Sequence, residues 1–321
     1  MATRGTTKVA NPTSSIPMIS IASVGSTGRP KSAVVDAVDE ACRDTGFFVI
    51  VDHGVPIDLI NEVDAVSRAF FELPMERKME WVGDGFHAYG PPRGVAGHEI
   101  FHVSHYDDVR ELRDAGYSKA IAERIRLNIW PTTPPNLRST WRWYYGAMED
   151  LARRLLRVFE AGLNLPAGWF DSRISRHTAN MSANYYPKRQ ALRESEERFA
   201  AHTDLSLFTM VYQDASPGSI EVCTRDGSWI TVPPIPGSFV VNLGRIMMRL
   251  TNGLWPATPH RVPDPPADSE RERLSIPFFF FPNYDMLIEP LPHLVDDVGG
   301  AKYLSISVGE FAEWQMSAFY A

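Results

Sequence analysis

His202-Thr203-Asp204 presents an imidazole and a carboxylate two residues apart. On a strand, or along its extended edge, side chains at that spacing leave the backbone on one side. His260 lies in the β-favouring stretch 258–262 and can supply a second imidazole. Two histidines and one carboxylate on one face of an octahedral ion leave three positions open, the coordination used by non-haem Fe(II) for O2 chemistry. Taken alone, a His-x-Asp triplet is more often a piece of solvated surface.

Arg273-Leu274-Ser275 repeats the two-residue spacing just before the apolar run Ile276-Pro277-Phe278-Phe279-Phe280-Phe281. A guanidinium beside a hydroxyl is a receptor for a carboxylate, which planar Arg binds through two parallel hydrogen bonds. An unpaired Arg next to so apolar a strand would be costly. The bland reading pairs Arg273 with a structural acid. Asn184 and Tyr186 share the same spacing, although a Tyr in a β core is usually packing.

His98-Glu99-Ile100-Phe101-His102 matches H-E-x-x-H, which on a helix places two histidines on one zinc with Glu as general base of a protease. Gly94 and Gly97 precede it in a stretch without helical period, and His105 stands where the longer zinc-protease pattern wants Gly. The reading preferred is a long loop over 82–108 whose histidines and aromatics face a substrate pocket.

These groups need elements to hold them. The run 16–21 reads as a short strand, 30–45 as a helix opened by Pro30, and 47–51 (FFVIV) as a strand ending at Asp52-His53-Gly54. One or two helices follow over 57–80, interrupted at Pro74. The period is clearest over 136–163, where Trp141, Tyr144, Met148, Leu151, Leu155 and Phe159 share a helix face. After about residue 177, short apolar runs (among them SLFTMVYQ, SFVVNL, RIMMRL and RLSIPFFFF) alternate with turns such as Pro217-Gly218 and Asp226-Gly227. Many short strands predict a sandwich or barrel, and 307–320 returns to helix. The organisation expected is a loose tail over 1–15, a mostly helical N-terminal lobe over 16–176, and a β core over 177–321 with a C-terminal helix.

The chain has 321 residues, 44% of them hydrophobic and 22% charged, enough apolar material for a substantial core. A net charge of -7 offers no electrostatic footprint for nucleic acid or an anionic membrane, so a small-molecule partner is the default and no obligatory protein partner is evident. Two cysteines far apart argue against a disulfide framework. The polar N-terminus lacks a signal-peptide core, and no run approaches membrane-spanning length. A soluble, cytoplasmic protein is expected.

The ordered set GFFVIVDHGVP, NIWP, NYYP, AHTDLSLFTMVYQD, GSFVVNLG, LTNGLWPATPHRV and RLSIPFFFFPNYD resembles the isopenicillin N synthase-like family of 2-oxoglutarate/Fe(II)-dependent dioxygenases over most of the chain. The resemblance implies a mainly β protein whose core is a double-stranded β-helix, or jelly roll, with iron inside one mouth. It implies that His202, Asp204 and His260 bind iron, that Arg273 and Ser275 bind the distal carboxylate of 2-oxoglutarate, and that Asn184 and Tyr186 help hold that cosubstrate. It also implies that the stretch 82–108 borders the substrate pocket, with His98, Phe101, His102 and Tyr106 as contacts, along with Phe208. With O2, decarboxylation of 2-oxoglutarate would drive hydroxylation, desaturation or ring formation on a small molecule, in secondary metabolism.

Three positions depart from the family pattern. Ser206 stands where Gly is common, Arg245 follows Asn242-Leu243-Gly244 where Asp is usual, and Ser20 replaces a frequent Asp. Arg245 reverses a charge and is expected at the pocket mouth, binding an anionic substrate. Three other functions stay open at this stage: a cyclising iron oxidase that uses Arg273 and Ser275 for a substrate carboxylate and dispenses with 2-oxoglutarate, the zinc protease, and a non-catalytic binding module.

Overall fold

The computed structural model describes residues 16–25, 30–83, 87–92, 97–188, 197–216, 218–265, 271–296 and 299–320. The expected tail over 1–15 and Pro217 of one expected turn lie outside them. Strands β1 (Met18–Ser20), β2 (Phe47–Val51), β3 (Ala88–Gly90), β4 (Glu99–Ser104) and β5 (Asn180–Tyr186) come first, then β6 (Glu197–His202), β7 (Phe208–Gln213), β8 (Glu221–Cys223) and β9 (Trp229–Thr231). The last three that matter for the site are β10 (Phe239–Leu243), β11 (His260–Pro263) and β12 (Arg273–Phe280). The major sheet runs β1-β2-β10-β7-β12-β5-β4-β3 and the minor sheet β6-β11-β8-β9.

Helices α1 (Ser32–Asp44), α2 (Ile57–Phe71), α3 (Met75–Lys78), α4 (Val109–Asp114), α5 (Lys119–Ala122), α6 (Leu137–Gly162) and α7 (Arg245–Leu250) accompany the sheets, with a C-terminal helix at Val308–Tyr320. In α6 the buried Leu137, Trp141, Tyr144, Met148, Leu151, Leu155 and Phe159 recur at three- and four-residue intervals. One apolar stripe can therefore cover one face of the sheet. The buried Trp141 indole donates to Ser67 Oγ of α2 at 3.1 Å, so the contact between these helices leaves no orphaned polar group there.

Alternation along the strands then divides the molecule into two faces. Leu274, Ile276, Phe278 and Phe280 of β12 join Phe208 and Met210 of β7 and the stripe of α6 in the main core. Phe47, Val49, Val211, Val222 and Val240 form a second core between the two sheets. Because the side-chain period is two, the residues between the members of the first group turn toward the minor sheet. That enclosed side is where the polar residues of the site lie.

Two expectations are corrected. The stretch 82–108 is not one long loop: it carries β3 and β4, and β4 pairs antiparallel with β5 from Glu99↔Tyr185 to Ser104↔Asn180. The run RIMMRL, grouped above with the strands, is the helix α7. Strands from the N-terminal half also enter the major sheet, since β2 pairs with β10 and β4 with β5. Across residue 177 the texture of the sequence changes while the sheet continues.

Candidate active site

Pairing of β6 with β11 sets His202 directly opposite His260. Asp204 lies just past the end of β6, on its extended edge. His202 Nε2 and His260 Nε2 lie 3.7 and 3.8 Å from Asp204 Oδ1, and the two imidazole centroids are 4.3 Å apart. One ligand atom from each residue falls within 4.8 Å of the others, so the three could hold a single metal ion.

The surroundings orient each donor. His202 Nδ1 lies 2.9 Å from the Ala200 carbonyl and His260 Nδ1 lies 3.3 Å from the Thr258 carbonyl. Donation from Nδ1 to a carbonyl leaves Nε2 with its lone pair free, the tautomer a metal needs. Asp204 Oδ2 accepts from Thr209 Oγ1 at 2.6 Å and from Asn242 Nδ2 at 2.7 Å. That carboxylate thus spends one oxygen on its own support and turns the other toward the histidines. Burial would raise its pKa, but the two imidazoles and these two donors hold it below the usual carboxylate range. Burial lowers His260 to about 4, against a smaller opposing pull from Asp204.

Backbone contacts lock the turn that carries Asp204. The Gly244 N–H donates to the Leu207 carbonyl at 2.9 Å and the Arg245 N–H to the Asp204 carbonyl at 2.8 Å. A Cβ on Gly244 would sit 2.0 Å from the Ser206 carbonyl oxygen, so only glycine permits this approach. Ser206, a departure from the expected Gly, bonds through its hydroxyl to Thr209 Oγ1 at 3.1 Å and so joins the same support. Ser20, another departure, donates to Asp52 Oδ2 at 2.6 Å, joining the end of β1 to the turn after β2.

Arg273 is 1% exposed and turns to the side of the sheet facing the minor sheet. Its Nη1 donates to Ser275 Oγ at 3.0 Å, while Nε and Nη2 are buried with no hydrogen-bond partner. Desolvation lowers its pKa, with the neighbouring Tyr186 and Asp214 opposing. A buried guanidinium with Nε and Nη2 unpaired has the planar donor pair that could take a carboxylate through two parallel hydrogen bonds. Strand pairing puts Tyr186 opposite Arg273 and Asn184 opposite Ser275, and the guanidinium sits 5.2 Å from the Tyr186 ring centroid.

Sequence reasoning missed what holds this end of β12. Arg68 of α2 reaches Asp214 Oδ2 at 2.5 Å and Glu272 Oε1 at 3.2 Å, and the same Asp214 oxygen accepts the Leu274 N–H at 2.8 Å. The N-terminal helices therefore brace the strand that presents Arg273. Asn242 and Thr209 were also missed as partners of Asp204, although Asn242 sits inside the quoted GSFVVNLG segment.

The expected substrate contacts divide. His98 stacks on Tyr186 with ring centroids 4.9 Å apart, and His102 Nδ1 lies 2.8 Å from Ser182 Oγ of β5, so both belong to the site-facing side. Phe101 and Phe208 do not: both are fully buried in the main core on the helix side, Phe101 against Trp141 and Phe208 against Phe159. Their strands' registers point them away. Tyr106 packs with Leu112 and Tyr117 in a small separate core. Arg245 extends its guanidinium to Gln315 of the C-terminal helix.

The zinc-protease reading fails on the same geometry. Residues four apart on a strand are separated by about 13 Å, too far for His98 and His102 to share an ion. Glu99 points to the opposite face, where it accepts from Lys78 Nζ and Tyr89 Oη, each at 2.5 Å.

A jelly roll with a His/Asp/His face and an anion-ready arginine defines a class, the non-haem iron oxygenases that use an oxoacid. Comparison with known proteins agrees. Residues 177–282 match the 2OG-Fe(II) oxygenase superfamily and residues 16–133 the family described as non-haem dioxygenase in morphine synthesis, N-terminal. A homoarginine-6-hydroxylase of Oryza sativa is 30% identical over 290 residues, covering 86% of each chain. Flavanone 3-dioxygenase 2 from the same plant is 30% identical over 298 residues, 92% of this chain and 82% of that protein. A 2OG-Fe(II) oxygenase family protein from Caulobacter crescentus superposes with a TM-score of 0.84 at 25% identity, covering 96% of this chain and all of that one. The chain belongs to the 2OG-Fe(II) oxygenase superfamily. It is an oxidoreductase of small molecules whose cofactors are Fe(II), 2-oxoglutarate and O2.

Proposed function

We propose that His202, Asp204 and His260 hold the Fe(II), that Arg273 with Ser275 takes the distal carboxylate of 2-oxoglutarate, and that Asn184 and Tyr186 line the channel between them. The observation carrying this is the pair of buried, partnerless guanidinium nitrogens of Arg273. A structural arginine would have found an acid, whereas a cosubstrate receptor keeps its donors free until the ligand arrives. The donor set suits the metal, since imidazole and carboxylate match Fe(II) and three ligands leave sites open. The bound iron and oxoacid supply the oxidising chemistry. The protein's part is to orient Nε2 of both histidines and to hold Asp204 ionised.

The substrate is read as a small molecule contacted by His98 and His102. Homoarginine and flavanone, in the names of the relatives, bracket the chemistry from a charged amino acid to an aromatic ring system. Arg245 is kept as the residue for an anionic substrate group, because the neutral Gln315 amide orients its charge without cancelling it. A substrate KM unchanged in Arg245→Ala would remove that role. A cytoplasmic location is inferred from the acidic, cysteine-poor sequence, and among the described residues no helix is long and apolar enough to cross a membrane.

The test is an anaerobic titration of metal-free protein with Fe(II) and then 2-oxoglutarate, read by the visible charge-transfer band. Wild type should show it, His260→Ala should lose it, and Arg273→Ala should need far more 2-oxoglutarate to reach it. A band that saturates equally well in Arg273→Ala would overturn the cosubstrate assignment.

A further inference from the structure

A second trio of metal-type ligands lies away from the site just described. His105 follows β4, His177 precedes β5, and Glu149 projects from α6 between them. One donor atom from each falls within 4.8 Å of the others, the same criterion the His202/Asp204/His260 group meets. His177 Nε2 is 3.1 Å from Glu149 Oε1, His105 Nδ1 is 4.0 Å from Glu149 Oε2, and the imidazole centroids are 4.3 Å apart. His177 also packs on Phe280 and His105 on Tyr145, both on the helix side of the major sheet. The trio and the His202/Asp204/His260 group are thus on opposite faces of that sheet.

The polar bookkeeping here is incomplete. His177 is 1% exposed, yet its Nε2 and the His105 Nδ1 are buried without a hydrogen-bond partner. The approach of His177 to Glu149 is short enough for a hydrogen bond, while His105 stands too far from that carboxylate to share one. Two imidazole nitrogens converge on one carboxylate, at 3.1 and 4.0 Å, in a set that one cation would satisfy together. Around a tetrahedral ion with bonds near 2.0–2.1 Å, neighbouring donors are separated by roughly 3.3 Å, which lies between the two separations found here. Supporting contacts are in place: Arg153 donates to Glu149 Oε1 at 2.7 Å and Arg142 to the His105 carbonyl at 2.9 Å. The Ala179 N–H reaches His177 Nδ1 only at 3.4 Å, a contact that gives way when Nδ1 carries the proton.

We propose that His105, Glu149 and His177 form a structural site for a divalent cation of the zinc class, clamping the end of β4 and the start of β5 to α6. Such an ion joins three elements far apart in sequence and lies outside the oxidation chemistry. The same donors without a metal would amount to a distorted His–Glu hydrogen bond, which is the competing account.

The experiment uses the full chain without a histidine tag, stripped with chelator and dialysed against micromolar Zn2+. In a His202→Ala/His260→Ala background, which removes the other trio, one equivalent of zinc should remain and should raise Tm. Adding Glu149→Gln or His177→Gln should abolish both the equivalent and the Tm rise. In otherwise wild-type protein those two substitutions should leave the Fe(II)–2-oxoglutarate band in place. Zinc-free protein in the double-alanine background would overturn the site, as would one equivalent that Glu149→Gln fails to remove. If the added substitutions prevent folding, the stoichiometry of the double-alanine background decides the matter alone.

Discussion

Asn242 Nδ2 donates to Asp204 Oδ2 at 2.7 Å, a bond between the middle of the major sheet and the turn that ends β6. It occupies the carboxylate oxygen that faces away from the histidines, so Asp204 Oδ1 alone is turned toward them. Thr209, on the neighbouring strand β7, donates to the same Oδ2 and completes the clamp.

Asn242→Ala should therefore weaken Fe(II) binding by ~10–100-fold while leaving the fold intact, the usual consequence of losing a partner behind a metal ligand. Iron affinity measured under anaerobic conditions, beside thermal melting of the metal-free protein, separates the two effects. An unchanged affinity would show that Thr209 suffices.

Gly244→Ala tests whether the Asp204 turn is a shaped feature. Its new methyl group would collide with the Ser206 carbonyl at 2.0 Å, and both elements there are backbone, which cannot step aside cheaply. We expect loss of iron binding together with a lowered Tm. Normal iron binding in this variant would mean that the turn relaxes without moving Asp204.

Lys78 and Glu99 make a buried ion pair at 2.5 Å, closed by the Tyr89 hydroxyl. Breaking such a pair from one side strands a charge, typically at a cost of ~3–5 kcal/mol. Lys78→Met should destabilise by that order in denaturant unfolding, and Lys78→Met/Glu99→Leu should recover a large part of it. Neither change should remove a metal ion, since Glu99 serves the fold. Zinc lost with Glu99 would revive the protease reading.

Stability should also fall on the acid side for an identifiable reason. Burial, with a smaller contribution from the nearby His87, lowers His102 to about 3. The unfolded chain takes up a proton near pH 6.5 that the folded protein refuses, so the neutral form favours folding above that pH. As pH falls from about 6.5 toward 3 this residue should cost up to ~1.4 kcal/mol per pH unit, with no slope from it above 6.5. The unfolding free energy of His102→Gln, measured with chelator present, should decline less steeply than that of wild type across the window. Parallel slopes would mean that His102 takes its proton in the folded state.

The sequence by itself determined the elements with strong periodicity and the residues that chemistry spaces along them. The apolar recurrence over 136–163 became α6 within a residue at each end, because its stripe is continuous. His202 with Asp204 and Arg273 with Ser275 stood out as candidates because an alternating backbone turns an i, i+2 spacing into a shared face, and His260 joined them because the motifs fall in one family's order. Tertiary structure decided the rest. The strand β4 was hidden because Glu99 occupies a core-facing place in its alternation, which is tolerable only with Lys78 beside it, a partner from another element. RIMMRL reads as a strand by composition, yet it follows a Gly244 pressed against Ser206 and coils into α7. Phe101 and Phe208 went to the wrong face since period two leaves either face possible until neighbouring strands set the register. The Asn242–Asp204 bond, the idle nitrogens of Arg273 and the meeting of His105, Glu149 and His177 all join residues brought together by sheet pairing and helix packing, contacts that no local pattern encodes.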